Sequence, residues 1–323
     1  MTGPVYDRVA LIGLGLIAGS IGLRIRRDRL AGEVVGHARS AATRAAAGRR
    51  GLVDRVCETV AEAVAEADLV ILCVPVGAMA DVAREIAPHL KAGATVSDVG
   101  STKRSVIEAV APNLPPEVQF IPGHPLAGTE HSGPESGFPE LFDNRWCLLT
   151  PLPDADEDAV ARLAALWRAM GSHVDRMDPD HHDLVLAVTS HTPHLIAYTM
   201  VGVADDLRRV TDSEVIKYSA AGFRDFTRIA ASDPTMWRDV FLHNRDATLE
   251  ILGRFTEELF ALQRAIRTGD GDTLHAYFTH TRAIRRGILE AGQDTDAPDF
   301  GRGGTRTTKA APSLPRAAGG AGR

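Results

Sequence analysis

A glycine-rich turn near the amino terminus constrains the fold more than any other feature of this chain. The apolar run Val9–Ile12 predicts a first strand, and a helix is predicted over Ile17–Arg27. The turn that joins them consists of Gly13, Leu14, Gly15, Leu16, Ile17 and Ala18. In this context Gly13 permits a tight turn, Gly15 lets a pyrophosphate approach the helix amino terminus, and Ala18 allows close helix–strand packing. The turn therefore predicts a dinucleotide-binding site.

Short apolar runs alternate with helical patterns through the first half of the chain. Further strands are predicted from Val34, over Leu69–Val74, over Thr95–Ser97 and over Val118–Ile121. Strands that alternate with helices favour a parallel sheet with helices on both faces. The predicted fold class is α/β, with a Rossmann-like, doubly wound parallel sheet in a dinucleotide-binding domain over residues 1–177.

The strand pattern ends near residue 177, where a second domain is expected to begin. The last strands are predicted at Leu148–Thr150 and His173–Asp175, with a helix over Asp156–Ala169 between them. From Pro179 to Ala291, apolar residues instead recur every three to four positions, which is typical of helices. We therefore expect an all-α domain over residues 178–292 that carries substrate-binding and dimerisation surfaces.

The helical half contains a pattern that predicts one unusually long helix. Ser232 or Asp233 can cap it with Pro234 at its first position, and Gly269 is a natural end. Such a helix would span about 30 residues, or roughly 45 Å, which favours packing against a second subunit and hence a homodimer. The alternative is two helices with an unmarked break. Residues 293–323 are rich in Gly, Ala, Pro and Arg, which predicts a disordered tail.

Composition narrows the class of partner and the compartment. The net charge of −6 disfavours nucleic acid, because phosphate binding needs a basic surface. No run of about 18 apolar residues is found, so no membrane span is expected. The cysteines Cys57, Cys73 and Cys147 are odd in number and widely spaced, which argues against a disulfide framework. A cytoplasmic location is consistent with these features.

The end of the second strand bears on which nicotinamide cofactor binds. An acidic residue there usually binds the ribose hydroxyl of NAD, but in this chain the second strand is followed by Ala38, Arg39 and Ser40, none of which is acidic. Arg39 and Ser40 can instead receive the extra phosphate of NADP, which the sequence favours. The alternative is that Arg39 is a surface residue and NAD binds without an acidic partner. Val74 and Pro75 follow a strand end, where cofactors bind in such sheets.

Two polar residues after the later strands are candidates for chemistry. His124 begins a loop that runs to Glu130, and a neutral histidine there can accept a proton while a cofactor accepts a hydride. The alternative for His124 is a loop histidine that caps a turn. Ser101 follows the strand at Thr95–Ser97 and either caps the next helix or faces the substrate.

Several motifs occur in a characteristic order along the chain. They are the glycine turn, Asp98–Lys103, His124–Glu130, Ser190–His194, Gly222–Ala230 and Ser232–Trp237. In this order they resemble the motifs of the prephenate/arogenate dehydrogenase family over about residues 8–292. The resemblance implies oxidative decarboxylation of a cyclohexadienol acid with hydride transfer to NAD(P)⁺, as in tyrosine biosynthesis.

The resemblance also implies roles for individual residues. His124 would be the base, Ser101 would reach the substrate near it, and His194 would contact the substrate. Arg228 would bind a substrate carboxylate, which suits the bidentate geometry of arginine. Glu130 and Asp225 would control access to the pocket, and Trp237 would come from the partner subunit. From the residues alone, Asp225 and Arg228 could instead form an intrahelical salt bridge, but the apolar residues around them suggest partial burial and favour the site; these residues are Phe223, Phe226 and Ile229. Trp237 could equally be a core aromatic.

Three alternatives remain at this point. His182, His191 and His194 could bind a metal, but the expected chemistry needs none, and we expect no metal site. A β-hydroxyacid dehydrogenase would share the layout but would need a catalytic lysine, which is absent around Val185–Tyr198. A non-catalytic dinucleotide sensor would need only the glycine turn.

Overall fold

The computed structural model describes residues 3–208 and 220–290, and its main sheet has six strands. The strands are β1 (Tyr6–Ile12), β2 (Ala31–His37), β3 (Arg55–Val56), β4 (Leu69–Leu72), β5 (Thr95–Asp98) and β6 (Gln119–Ile121). They are all parallel and lie in the order β3-β2-β1-β4-β5-β6. This order reverses between β1 and β4, and such a switch point is where ligands bind in doubly wound sheets.

Helices cover both faces of this sheet. They are α1 (Leu16–Asp28), α2 (Ala41–Arg50), α3 (Val60–Val64), α4 (Met79–Ile86) and α5 (Arg104–Val110). Because side chains alternate along a strand, Leu11 of β1 packs into one core and its neighbours Ala10 and Ile12 into the other. Strand β4 is buried along its whole length, as expected for a strand with both faces covered.

A second, three-stranded sheet follows the first. It consists of β7 (Gly123–Pro125), β8 (Trp146–Leu149) and β9 (His173–Arg176), with α6 (Glu157–Ala169) between the last two strands. Strand β7 is antiparallel to β8, and His124 lies opposite Leu148 in that pairing. Trp167 of α6 packs edge-on against Phe142 in the core. This sheet holds the His124 loop at the carboxyl end of the main sheet.

The chain after β9 is helical throughout its described residues. The elements are α7 (Pro179–Leu186), a π-helix (Ala187–His191), α8 (Thr192–Arg208), α9 (Ala221–Thr227), a 3₁₀ turn (Arg228–Ala231), α10 (Pro234–His243), α11 (Arg245–Thr268) and α12 (Gly271–Glu290). Asp178 caps α7 with its side chain, and Pro179 occupies the first helical position.

The strands and the α6 helix that the sequence predicts are confirmed, with boundaries shifted by a few residues. The two short strands β3 and β7 were not predicted. The single long helix after Asp233 is wrong, because the chain breaks at Asn244 into α10 and α11. Asp233 does cap the first of these helices, and Gly269 ends the second with a φ of 68°. The predicted tail at 293–323 lies outside the described residues.

The chain divides into two compact units, one up to Leu252 and one from Gly253 onward. The helical run Pro179–Asp206 is long and apolar enough to cross a membrane by length and composition, with a mean hydropathy of 1.2. One such helix is weak evidence, since core helices pass the same test. Here the run carries the buried polar residues His182, Asp183 and His191, which make hydrogen bonds within the protein.

We predict that Gly22→Ala destabilises the protein, because a Cβ at Gly22 would overlap the backbone carbonyl of Leu52. Overpacking of this kind costs about 1–3 kcal/mol. Gly48→Ala is the matched control in α2, where the nearest atom to a new Cβ is 3.9 Å away. That change should leave stability equal or raise it by about 0.5–1 kcal/mol. Urea unfolding of both variants measures the difference, and equal midpoints would contradict the close packing of α1.

Candidate active site

A buried ion pair lies at the carboxyl end of β5. The Lys103 ammonium pairs with the Asp98 carboxylate, and both side chains are fully buried. The same ammonium donates to the carbonyl oxygen of Gly123 at 2.6 Å. Asp98 in turn accepts hydrogen bonds from the backbone N–H groups of Gly100 at 2.7 Å and Gly123 at 3.1 Å. These contacts tie the loop after β5 to the strand that carries His124.

The hydrogen bonds around Lys103 and Asp98 offset the free-energy cost of burying these two charges. Burial lowers the pKa of the Lys103 ammonium, and the adjacent Asp98 carboxylate opposes that shift. Removal of two charges from water costs several kcal/mol per ion, and only a complete set of partners offsets it. Here each charge has at least two partners, so the pair can hold a defined geometry rather than relax.

His124 is buried beside this network. Its side chain is 7% exposed, and its Nδ1 lies 2.9 Å from Nε2 of His182. Burial lowers the pKa of His124 well below its usual value, and the nearby His182 and Lys103 lower it further. His124 is therefore neutral at pH 7, which is the state that a proton acceptor requires.

His182 and Asp183 lie behind His124 on α7. Nδ1 of His182 lies 2.9 Å from Oδ1 of Asp183. The Asp183 carboxylate also accepts the backbone N–H groups of Lys103 at 2.7 Å and Arg104 at 3.0 Å. Asp183 thus caps the amino terminus of α5 from a distant part of the sequence. Ser101, which the sequence offered as a cap for this helix, does not fill that role, because α5 has Lys103 at its N-cap position without a side-chain cap from its own segment.

The junction between α10 and α11 contributes a further polar anchor. The Asn244 side chain donates to the backbone oxygen of Asp183 at 2.8 Å and lies 3.0 Å from Nδ1 of His191. Burial lowers the pKa of His191 to about 4, so this ring is neutral. Within the described residues, the buried Nε2 of His191 makes no hydrogen bond that meets normal geometry. Asn244, at the break between α10 and α11, therefore links these two helices to Asp183 and His191.

A π-helix turns His182 and His194, two histidines of one helical run, toward the same side of that run. His182 and His194 are twelve positions apart, which in a regular α-helix places them about 120° apart around the axis. The π-helix at Ala187–His191 accommodates one extra residue and reduces this offset to about 20°. π-Turns of this kind are frequent at functional sites.

His194 and Trp237 form a stacked pair. Their ring centroids are 3.7 Å apart with an interplanar angle of 25°. Nδ1 of His194 lies 2.8 Å from the backbone oxygen of Ser190, so it donates there and leaves Nε2 as an acceptor. Burial lowers the pKa of His194, and the Arg228 guanidinium nearby lowers it further. In the described chain, Trp237 is 6% exposed and contacts the histidine of its own chain.

Arg228 pairs with Glu130, and not with Asp225 as the intrahelical alternative required. Its guanidinium lies 3.4 Å from Oε2 of Glu130, across the loop that begins at His124. Arg228 lies in the 3₁₀ turn that follows α9, whereas Asp225 is exposed on α9 itself. The burial expected around the pair is not found at Phe226, which is 43% exposed. The structure thus brings Glu130, Arg228 and His194 together and leaves Asp225 at the surface.

The glycine turn fits a dinucleotide. Gly13 has a φ of 97°, and a Cβ there would meet the backbone of Cys73 at 2.8 Å. A Cβ at Gly15 would meet no atom within 4 Å, so the space before α1 is open. Gly15 is the N-cap of α1 and provides no side-chain cap, which leaves the first backbone N–H groups of the helix available to an anion.

The other predicted cofactor residues lie at strand ends. Leu14, Leu16 and Ala18 are buried, Ile17 is partly buried, and Val74 and Pro75 follow β4 next to the turn. Arg39 is exposed just beyond β2, while the Ser40 hydroxyl caps α2 by accepting from Thr43. Ser101 is partly buried in the loop between β5 and α5.

Sequence reasoning missed the residues that hold His124 in place. Lys103 and Asp98 belong to the motif Asp98–Lys103, but the sequence pattern alone does not indicate their ion pair. The sequence indicates His182 only as a possible metal ligand or as part of the first helix of the second domain, and it does not indicate roles for Asp183 and Asn244. Asp178 before Pro179 marks the start of α7 and could have pointed to His182 and Asp183 on its first turns. No metal-binding group of three or more ligands is found in residues 3–208 and 220–290.

Comparisons with protein families give matches along most of the chain. Residues 21–176 match the model described as "Prephenate dehydrogenase, nucleotide-binding domain". Residues 178–280 match "Prephenate dehydrogenase, dimerization domain". The cyclohexadienyl dehydrogenase of Zymomonas mobilis is 42% identical over 282 residues, which cover 87% of this chain and 96% of that protein. The prephenate dehydrogenase of Bacillus subtilis is 34% identical, with 87% of this chain and 76% of that protein covered.

Solved structures agree with these matches. The prephenate dehydrogenase of A. aeolicus, in complex with hydroxyphenyl propionate and NAD⁺, is 31% identical with a TM-score of 0.80, and the alignment covers 87% of this chain and 98% of that one. The arogenate dehydrogenase of Synechocystis is 26% identical with a TM-score of 0.73 and coverage of 87% and 99%.

We predict that Lys103→Met destabilises the protein strongly, because it leaves the Asp98 carboxylate buried without its cation. Loss of one partner from a buried pair costs about 3–5 kcal/mol. The double variant Asp98→Asn/Lys103→Met should lose less than the sum of the two single changes. Lys91→Met is the control, since Lys91 pairs with Asp68 at the surface and its loss should matter far less. Strict additivity in chemical unfolding would contradict the coupling.

Proposed function

Because this chain belongs to the prephenate dehydrogenase family, we propose that it catalyses the oxidative decarboxylation of prephenate, arogenate or both. Hydride passes to NAD(P)⁺, and the products are 4-hydroxyphenylpyruvate from prephenate and tyrosine from arogenate. The observation that carries this proposal is a buried, neutral His124 beside a glycine turn that fits a dinucleotide. Family membership displaces the β-hydroxyacid dehydrogenase alternative, and the buried histidines argue against a mere dinucleotide sensor.

The reaction assigns a specific task to His124. The substrate's ring carbon loses a hydride, which a bound nicotinamide accepts, while His124 accepts the proton of the ring hydroxyl. The bond to the ring carboxylate then breaks, carbon dioxide leaves, and the electron pair of that bond makes the ring aromatic. His124 returns the proton to the ring oxygen, so that charge and protons balance.

Binding of the anionic substrate is proposed for the residues around His194. Arg228 offers a planar guanidinium that can bind a carboxylate in bidentate fashion. In the structure it contacts Glu130, so we propose that a substrate carboxylate replaces this partner and that Glu130 thereby controls entry. His194 Nε2 is free to accept from the substrate, and Ser101 and Asp225 keep their predicted roles at the substrate and at the entrance.

The cofactor and its specificity form a separate part of the proposal. We propose that Gly13–Ala18 bind the pyrophosphate, with Val74 and Pro75 beside the nicotinamide half. NADP is favoured over NAD, because Arg39 is exposed at the end of β2. Arg44 orders the segment that carries Arg39, since its guanidinium donates to the backbone oxygens of Ala38 and Arg39, while its own charge is paired with Glu58.

A homodimer in the cytoplasm completes the proposal. The matched dimerization domain supports association through the helical half. That half exposes many large apolar side chains, among them Val188, Met200, Val203, Leu249, Phe260 and Phe278. Burial of such a surface by a second copy is favourable at about 25 cal/mol per Å². Trp237 stacks on His194 of its own chain, so we place it at the substrate site of that chain and not of the partner. The three cysteines are unpaired, which suits a reducing compartment.

The proposed reaction is tested by a four-way rate comparison. Prephenate or arogenate is supplied with NAD⁺ or NADP⁺, and the absorbance of the reduced cofactor is followed. We expect turnover in at least one combination, with a higher kcat/KM for NADP⁺ than for NAD⁺. Absence of turnover in all four combinations, from folded protein that binds cofactor, would reject the proposed reaction. A higher kcat/KM for NAD⁺ would reject only the cofactor preference.

We predict that His124→Asn lowers kcat by about 10² to 10⁴-fold, the usual effect of a general base, with little change in cofactor affinity. His89→Asn is the control, because His89 is exposed before β5, at the opposite end of that strand from the site. An unchanged kcat in His124→Asn would remove His124 from the mechanism.

The pH profile provides an independent readout of the same residue. Its lone pair is available above its pKa, and burial lowers that pKa below 6.5. The wild-type kcat/KM should therefore hold as the pH falls through 6.5 and be lost only at lower pH. A decline centred at or above pH 6.5 would contradict a buried base.

A further inference from the structure

A chain of hydrogen bonds runs inward from the histidine that the proposed function uses as a base. Nδ1 of His124 lies 2.9 Å from Nε2 of His182, and Nδ1 of His182 lies 2.9 Å from Oδ1 of Asp183. The three residues are 7%, 0% and 5% exposed. Because each ring nitrogen either donates or accepts, the two contacts must be assigned consistently.

The assignment starts at Asp183, which can only accept when ionised. Its Oδ1 also accepts the backbone N–H of Lys103, and its Oδ2 accepts that of Arg104. With two backbone N–H groups donating to it, the Asp183 carboxylate acts as an acceptor toward the ring of His182 as well. Nδ1 of His182 therefore carries a hydrogen that it donates to Asp183.

The next step concerns the charge of His182. Burial lowers its pKa and the nearby Lys103 lowers it further, although Asp183 opposes both effects. A neutral His182 with its hydrogen on Nδ1 has a lone pair on Nε2. Nε2 of His182 must then accept, so Nδ1 of His124 donates. Nε2 of His124 is left with a lone pair.

From this geometry we infer that His182 and Asp183 are positioning residues that fix His124 as its Nδ1–H tautomer. The inference rests on the proposed role of His124 as the base. The opposite tautomer would present a hydrogen at Nε2 and could not take the substrate's proton there. After His124 has accepted that proton, the same chain orients the imidazolium and stabilises its charge through Asp183.

The surrounding charges are compatible with this assignment. The Lys103 ammonium is bound by Asp98 and the Gly123 carbonyl, so neither histidine has to accept a hydrogen bond from it. Nδ1 of His191 is engaged by Asn244, which keeps that ring out of the chain. The backbone oxygen of Asp183 accepts a hydrogen bond from Asn244, so this residue is anchored at its backbone as well as at its carboxylate.

The test reads the tautomer directly by two-bond ¹H–¹⁵N NMR on protein labelled with [¹⁵N]histidine, at pH 7.5 and without substrate. We expect a protonated Nδ1 and an unprotonated Nε2 for His124. Histidine in solution favours the opposite tautomer, so the expected result departs from the default. The His124→Asn variant assigns the signal by its disappearance.

Two substitutions of His182 separate an orienting role from a structural one. His182→Phe removes the acceptor, so His124 should revert to the Nε2–H tautomer and kcat should fall by about 10² to 10⁴-fold, the effect of a wrong tautomer at a base. His182→Gln places an amide oxygen near the position of Nε2, so it should keep the Nδ1–H signal and recover most of the lost kcat. His181→Phe is the matched control, since His181 is the exposed neighbour.

Two results would overturn the inference. One is an Nε2–H tautomer of His124 in the wild-type protein. The other is a His182→Phe variant, with folded spectra, that keeps both the Nδ1–H signal and the wild-type kcat. If His182→Phe does not fold, the wild-type spectrum and His182→Gln still decide. The NMR signal needs no turnover, so an Nδ1–H tautomer in a protein inactive on prephenate and arogenate would reject the proposed function and leave the inference standing.

Discussion

The buried contact between Lys103 and Asp98 is the interaction on which the rest of the site depends. The side chains of these two residues join the loop after β5 to β7, and the backbone N–H of Lys103 is bound by Asp183 from α7. One lysine therefore connects the parallel sheet, the second sheet and the helical half. Its desolvation is offset only while every partner is present, so the arrangement tolerates little displacement. His124 lies where these three parts meet, and its position follows from theirs.

Burial has a second effect at this centre, which is chemical rather than structural. Burial, which makes the Lys103–Asp98 pair costly unless all its partners are present, also lowers the pKa values of four histidines. These are His124, His182, His191 and His194. Neutral imidazoles can divide the roles of donor and acceptor among their nitrogens, whereas charged ones can only donate. Because Lys103 is paired with Asp98 and the histidines are neutral, each imidazole ring in this buried site can have a defined position for its hydrogen. The proposed reaction requires a neutral proton acceptor of this kind.

Much of the fold was predictable because its signals are local. The glycine turn, the apolar runs of β1 and β4, and the capping residues Asp178 and Asp233 each lie within a few residues of the structure they determine. The predicted site residues His194, Arg228 and Glu130 also come together in space. Strand β3 has only two residues, and β7 contains Gly and Pro, so neither carries a periodic pattern. The break at Asn244 has no proline or glycine to mark it, because its cause is a contact with Asp183 and His191, far away in the sequence.

The π-helix at Ala187–His191 makes the catalytic set sensitive to chain length as well as to side-chain identity. Deletion of one residue in this segment could convert it to a regular α-helix in which His182 and His194 are eleven positions apart and still about 20° apart around the axis, whereas insertion of one residue would turn the later half by about 100° relative to the earlier half. His194 and its stacked Trp237 would then no longer share a side with His182. The segment between the two histidines therefore works as a spacer whose length is part of the active-site specification. A substitution there, or a deletion that removes the extra residue, preserves this angular alignment, whereas the insertion of a single residue destroys it.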